Sequence, residues 1–344
     1  MVDVYSESGH ETVLADLVEQ ALLDLPHLQV TRDGDAVVAR TGFSREQRVI
    51  LAGHLDTVPP ADNLPARLVG DRLSGLGTAD MKSGLAVMLR LAGLVTDCAR
   101  DLTYVFYDGE EVEAVRNGLK RLVERQPQWL TGDLAVLMEP TGGVVEGGCQ
   151  GSLRGDVVVP GRRAHSARSW LGENAVHRAG EVLDRLRSYQ PRQPVVDGLA
   201  FHEGLNAVGI RGGVAGNVIP DEAVVTVNYR FAPDRDEAQA LSHVRDVFAG
   251  FDLHLTDSAA GARPGLDQPL ARDLVEAIGG RPRAKLGWTD VARFSALGIP
   301  AVNYGPGDPA LSHTRDEHVP VAAIREAEDQ LLGWLTGRPG ETAA

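Results

Sequence analysis

Three apolar runs in this chain stop abruptly at an acidic or imidazole side chain, and that pattern narrows the folds open to it. VILAGH ends at His54 with Asp56 two residues on, TYVFYD passes into Glu110 and Glu111, and LAVLME ends at Glu139. Continuous rather than alternating apolar strands are buried on both faces, as in a mostly parallel sheet covered by helices. The stretches between them supply the helices. Apolar residues recur at helical spacing over residues 11–25, a second helix begins near Met81, and EEVEAVRNGLKRLVE reads as a third that follows its strand directly. The expected class is α/β.

The pattern changes after Gly151. SLRGDVVVPG alternates as a half-exposed strand should, a helix follows over residues 174–189, and FHEGLNAVGIRGG and EAVVTVNYRFAP read as strands. A helix over 234–248 and the strand FDLHLTD complete a β-α-β-β-α-β order, the ferredoxin-like arrangement. From about Gly261 the α/β pattern resumes, with a last helix over 321–335. Residues 1–150 and 261–344 are therefore expected to form a catalytic α/β domain, interrupted by an α+β domain at 151–260. A chain of 344 residues is long enough for both.

In open α/β sheets ligands bind in the crevice beyond the carboxyl ends of the strands. His54, Glu110, Glu111 and Glu139 should reach that crevice, joined by Asp80 from the Gly-rich loop before a helix and His313 from a late loop. So many carboxylates cannot stay ionised together without compensating positive charge. Mixed imidazole and carboxylate donors suit zinc and similar divalent metals, and even five ligands drawn from these six exceed the three a single catalytic zinc uses. Two metals sharing a carboxylate would use them all. Asp56 points to the same side as His54, since residues two apart in a strand share a face, and its carboxylate could accept the imidazole's other N–H.

Several other classes are disfavoured. A formal net charge of -14 argues against nucleic acid. The only two cysteines, Cys98 and Cys149, lack CxxC spacing, which argues against a disulfide framework or cysteine-based zinc site and fits a reducing cytosol. The N-terminus lacks a signal-peptide pattern, and no apolar run reaches the ~18 residues of a membrane span. GLGTADMKSG has neither the Walker ending nor the GxGxxG order of a nucleotide loop. The expectation is a cytoplasmic protein with no membrane or nucleic-acid partner.

GHLDTVP, GTADMKSG, YDGEEVEA, LMEPT and LSHTRDEHV, in that order over nearly the whole chain, resemble the M20 family of zinc aminoacylases and peptidases. The resemblance implies a zinc-peptidase-like domain with an inserted dimerisation (lid) domain. It also implies two Zn2+ ions per subunit, with Co2+ able to substitute, and a homodimer acting on a small N-acyl amino acid. Asp80 would bridge the metals, His54 and Glu139 would complete one site, and Glu111 and His313 the other. Glu110 would be the general base and Asp56 the support of His54. His165, in AHSA, would reach a neighbouring subunit's active site and help hold the oxyanion, while Ser152, Asn217, Arg230 and Thr289 would contact substrate. The Asp80–Met81 peptide falls where the family often holds a cis bond. GGCQGSLRGDVVVPGRRAHSA, GNVIPDEAVVTVNYRF and GPGDPALSHTRDEH resemble the family's desuccinylase branch, although Cys149–Gln150 stand where other members carry an Arg pair. The alternatives are a deacetylase of acetylornithine or acetyl-citrulline, a carboxypeptidase, or a catalytically silent homologue that binds acyl amino acids.

Overall fold

The strand Arg48–His54 is buried beyond its first residue, with Val49, Ile50, Leu51 and Ala52 fully enclosed. Enclosing side chains such as Ile50 and Leu51 contributes ~1.5–3 kcal/mol each, which fixes this strand at the centre of a sheet. The computed structural model, which describes residues 1–337, pairs it in parallel with Asp101–Tyr107 on one side and Leu134–Leu137 on the other. Leu134–Leu137 in turn pairs in parallel with Ala301–Asn303.

The parallel order stops there. Leu28–Asp33 and Ala36–Thr41 form a hairpin that joins Asp101–Tyr107 antiparallel, and Glu146–Gly147 joins Ala301–Asn303 antiparallel at the other side. The eight-stranded sheet is thus mixed, with a parallel centre of four strands rather than parallel order throughout. A tight turn such as that at Gly34 can join only antiparallel neighbours, since parallel strands need a long crossover. All four parallel strands deliver their carboxyl ends to one edge.

The helix Lys82–Leu94 lies close against that centre. A Cβ on Gly84 would sit 2.3 Å from the Met138 carbonyl oxygen, and one on Gly53 would sit 2.7 Å from Leu85 Cδ2. At Gly84 the obstacle is backbone, which leaves no room for a side chain and sets how near the helix comes to the strand ends, whereas at Gly53 the side chains of Leu85 and Met81 would have to shift. The Asp80–Met81 peptide just before it is cis.

By internal contacts the described chain falls into two units, residues 1–148 with 264–283 and 289–337, and residues 149–263 with 284–288. The second unit holds a four-stranded antiparallel sheet. Its order is Gly204–Gly212, Glu222–Phe231, Gly151–Pro160, Asp252–Ala259. The helices Ala175–Ser188 and Glu237–Val247 pack on one face of it, around Leu153, Val157, Val225 and Val227. Cys98 and Cys149 are both buried. No described helix is long and apolar enough to cross a membrane.

The region after Asp101–Tyr107 differs from expectation. Residues 109–113 are not helical, a short 3-10 turn spans Ala114–Arg116, and the α-helix is only Gly118–Arg125. Two local causes explain the late start. Gly109 turns the chain with φ +68°, and Asn117 caps the helix by accepting the Lys120 N–H at 2.8 Å.

Candidate metal centre

At the carboxyl edge of the parallel strands His54 is 1% exposed, and its Nε2 lies 3.2 Å from Asp80 Oδ1. The other Asp80 oxygen lies 3.6 Å from His313 Nε2, which is 2.7 Å from Glu111 Oε1. One carboxylate thus turns an oxygen toward each imidazole. Donor atoms of His54, Asp80 and Glu111 all lie within 4.8 Å of one another, close enough to hold one metal ion. Glu139, 5% exposed, follows the end of Leu134–Leu137. Glu110 is pushed well above the usual carboxylate range, by burial first and then by the charges of Glu139, Asp290 and Glu111, with His54 opposing. Two imidazoles and several carboxylates converging at one edge make a donor set that fits divalent metals.

Asp56 supports the site differently from the expectation. His54 Nδ1 lies 2.9 Å from the Asp56 backbone oxygen and 3.6 Å from its carboxylate. A carbonyl can only accept, so Nδ1 carries a proton and Nε2 is the nitrogen available to a metal. The carboxylate instead accepts the N–H groups of Glu110 and Glu111, each at 3.0 Å, and the Ser8 hydroxyl at 2.7 Å. These bonds hold the two glutamates in the non-helical turn. Burial alone would raise the Asp56 pKa, but the His54 imidazole, Ser8 and the Glu110 N–H bring it down from 3.8 to about 2.

A folded value below the unfolded one stabilises the native state above about pH 4, and that contribution is lost as pH falls through 2. The shift corresponds to about 2–3 kcal/mol. Asp56→Asn should therefore lose about 2–3 kcal/mol at pH 7, with a smaller difference from the parent near pH 3. Urea unfolding of metal-free protein at both pH values measures this, and an equal difference at both would contradict it.

The imidazoles carry protons when no metal is bound. The Glu111 hydrogen bond is the largest influence on His313, and with the charges of Glu111 and Asp80 it lifts the pKa to about 9 against burial. Burial opposes charge on His54 too, yet Asp56 and Asp80 hold it well above 6.5. A metal must displace those protons, so binding should release protons at pH 7.5 and tighten as pH rises toward 9. Calorimetric titration in buffers of different ionisation enthalpy reads the release. A pH-independent affinity would contradict the protonated pair.

Two supports escaped the sequence reading. Glu11, 3% exposed, accepts the Gly9 N–H at 2.8 Å and the Gly109 N–H at 3.2 Å, tying SESGHE to the Glu110 turn. Glu317, 1% exposed, accepts N–H groups of the loop that presents Asp80. The closely spaced Ser, Gly and Glu of SESGHE were the available signal for the first; nothing in RDEH singled out the second.

The remaining sequence-predicted residues are divided between the two units. Thr289 belongs to the first unit, buried, its hydroxyl donating to Asn303 Oδ1 at 2.9 Å. Ser152, His165, Asn217 and Arg230 belong to the second unit. There Arg230 sits opposite Ser152 across two strands, and the Ser166 N–H donates to the Asn217 carbonyl beside His165. Arg230 is half-buried, and burial first and Arg154 second lower its pKa.

Residues 50–335 match the family described as Peptidase family M20/M25/M40. The chain is 58% identical over 340 residues to a Mycobacterium tuberculosis protein provisionally named a succinyl-diaminopimelate desuccinylase, covering 98% of this chain and 96% of that one. It is 47% identical over 347 residues to a succinyl-diaminopimelate desuccinylase of Corynebacterium glutamicum, covering 98% and 94%. A solved tripeptidase from Staphylococcus aureus has a TM-score of 0.81 at 22% identity, covering 98% and 95%, a likeness of fold.

Proposed function

The chain belongs to the peptidase family M20/M25/M40, and from that premise we propose that it is a metal-dependent amide hydrolase, a succinyl-diaminopimelate desuccinylase. It releases succinate and LL-2,6-diaminopimelate from N-succinyl-LL-2,6-diaminopimelate, a step toward lysine, in the cytoplasm. The observation that carries the hydrolase reading is the Asp80 carboxylate, with one oxygen toward His54 and the other toward His313. The relatives' names carry the choice of acyl group.

In this reading His54 and Glu139 on one side and Glu111 and His313 on the other, with Asp80 shared, would hold two zinc ions, for which cobalt could substitute. Bound there, the metal pair would lower the pKa of a water and polarise the amide carbonyl. Glu110 accepts a proton from the attacking water and returns it to the leaving amine as the C–N bond breaks, a task suited to a carboxylate whose pKa is raised by burial. His165 Nδ1 accepts the Ala167 N–H at 3.0 Å, so its proton lies on Nε2, free to donate to an oxyanion. Arg230 offers a planar fork to a substrate carboxylate. Ser152, Asn217 and Thr289 complete the substrate contacts.

His165 acts from a partner subunit of a homodimer formed through the lid. His165→Ala should lower kcat about 100-fold with the fold intact. Mixing His165→Ala with Glu110→Gln chains should restore part of the activity, since one active site then regains both groups. No recovery would count against action between subunits. The substrate assignment is tested by hydrolysis of N-succinyl-LL-diaminopimelate against N-acetylornithine, with chelated and zinc-restored protein. Zinc-dependent release of succinate supports it; preference for the acetyl substrate would move the chain to a deacetylase.

A further inference from the structure

We infer that Glu317 is a positioning residue that locks the Asp80 loop to the His313 segment so that both present their ligands to the same metal pair. The inference rests on the metal-centre reading given above. The Glu317 side chain is enclosed, and its carboxylate accepts the N–H groups of Gly77 at 2.9 Å, Ala79 at 2.8 Å and Asp80 at 3.0 Å. Its own backbone oxygen accepts the Gly75 N–H at 3.1 Å. Successive N–H groups in a turn make an anion-binding concavity. Here Gly77, with φ +76°, permits the turn, and the protein's own carboxylate fills it.

The geometry couples two ligands by one side chain. A bond to the Asp80 N–H fixes the backbone of the shared carboxylate ligand itself. Glu317 lies four residues after His313, on the segment that carries the second imidazole. The next strand, His318–Pro320, pairs with Arg72–Ser74, so the joint continues as sheet just before the Asp80 loop. Glu317 needs no place in the reaction: no proton passes through it and no metal is assigned to it.

The test is zinc affinity of metal-stripped protein, read by competition with a chromophoric chelator, alongside its thermal midpoint. Glu317→Gln keeps the volume but puts an amide NH2 where an acceptor oxygen stood. Zinc affinity should fall roughly 10–100-fold, the usual cost of losing a group that orients a ligand. Glu317→Asp keeps the charge but cannot span all three N–H groups, and should weaken binding as well. A merely structural role would lower the midpoint and leave affinity within twofold of the parent, which overturns the inference. Parent affinity in Glu317→Asp beside weakened Glu317→Gln would assign the effect to charge and also overturn it. If Glu317→Gln is insoluble, Glu317→Asp decides by the same affinity criterion. A parent that binds no zinc overturns the metal reading itself; a parent that binds zinc and variants that match it overturn only the role of Glu317.

Discussion

Asp80→Ala is expected to release both metals and to lower kcat at least about a thousandfold, the largest effect of any single substitution here. The shared carboxylate faces both imidazoles, at 3.2 Å from His54 and 3.6 Å from His313. In the proposed centre neither metal would keep a full set without it, and the remaining acids would again crowd each other without compensation. Metal ions contribute several kcal/mol to transition-state stabilisation, and about 4 kcal/mol is a thousandfold in rate. Asp80 is partly solvent-accessible, with a side chain 12% exposed, so its loss leaves the apolar core intact. Metal analysis, kcat and the thermal midpoint of stripped protein check the three parts. Full metal content in Asp80→Ala would remove the carboxylate from the centre of the account.

Glu110→Gln separates proton transfer from metal binding. The amide keeps the shape, and its backbone N–H still donates to Asp56 Oδ1, so the turn should hold. Metal content should match the parent. Turnover should fall at least about 100-fold, the usual range for a lost general base, because a carboxamide cannot take the proton. Near-parental turnover would place the base elsewhere. Loss of metal together with activity would instead make Glu110 a ligand.

Much of this arrangement could be read from the chain, for a physical reason. Parallel strands buried on both faces are recognisable as apolar runs, and such strands share one carboxyl edge, so His54, Glu111 and the Asp80 loop meet there. The antiparallel joining of Ala36–Thr41 to Asp101–Tyr107 was not legible, because a buried strand carries the same apolar signature whichever way its neighbour runs. Asp56 was placed on the right face by the two-residue period, but that period does not say which donor its carboxylate takes. The turn at 110–113 was read as the start of the helix that follows its strand; the bonds to Asp56, distant in sequence, hold it in another shape. Nothing in RDEH marked Glu317. Only the folded chain brings the N–H groups of Gly77, Ala79 and Asp80 around it.

Diffraction from crystals grown with zinc, recorded at the zinc absorption edge, asks the central question most directly. Two anomalous peaks roughly 3.5–4 Å apart are expected, one against His54 and Glu139 and the other against Glu111 and His313, with Asp80 between them. Zinc bound with full occupancy elsewhere, and no peak beside Asp80, would contradict the account.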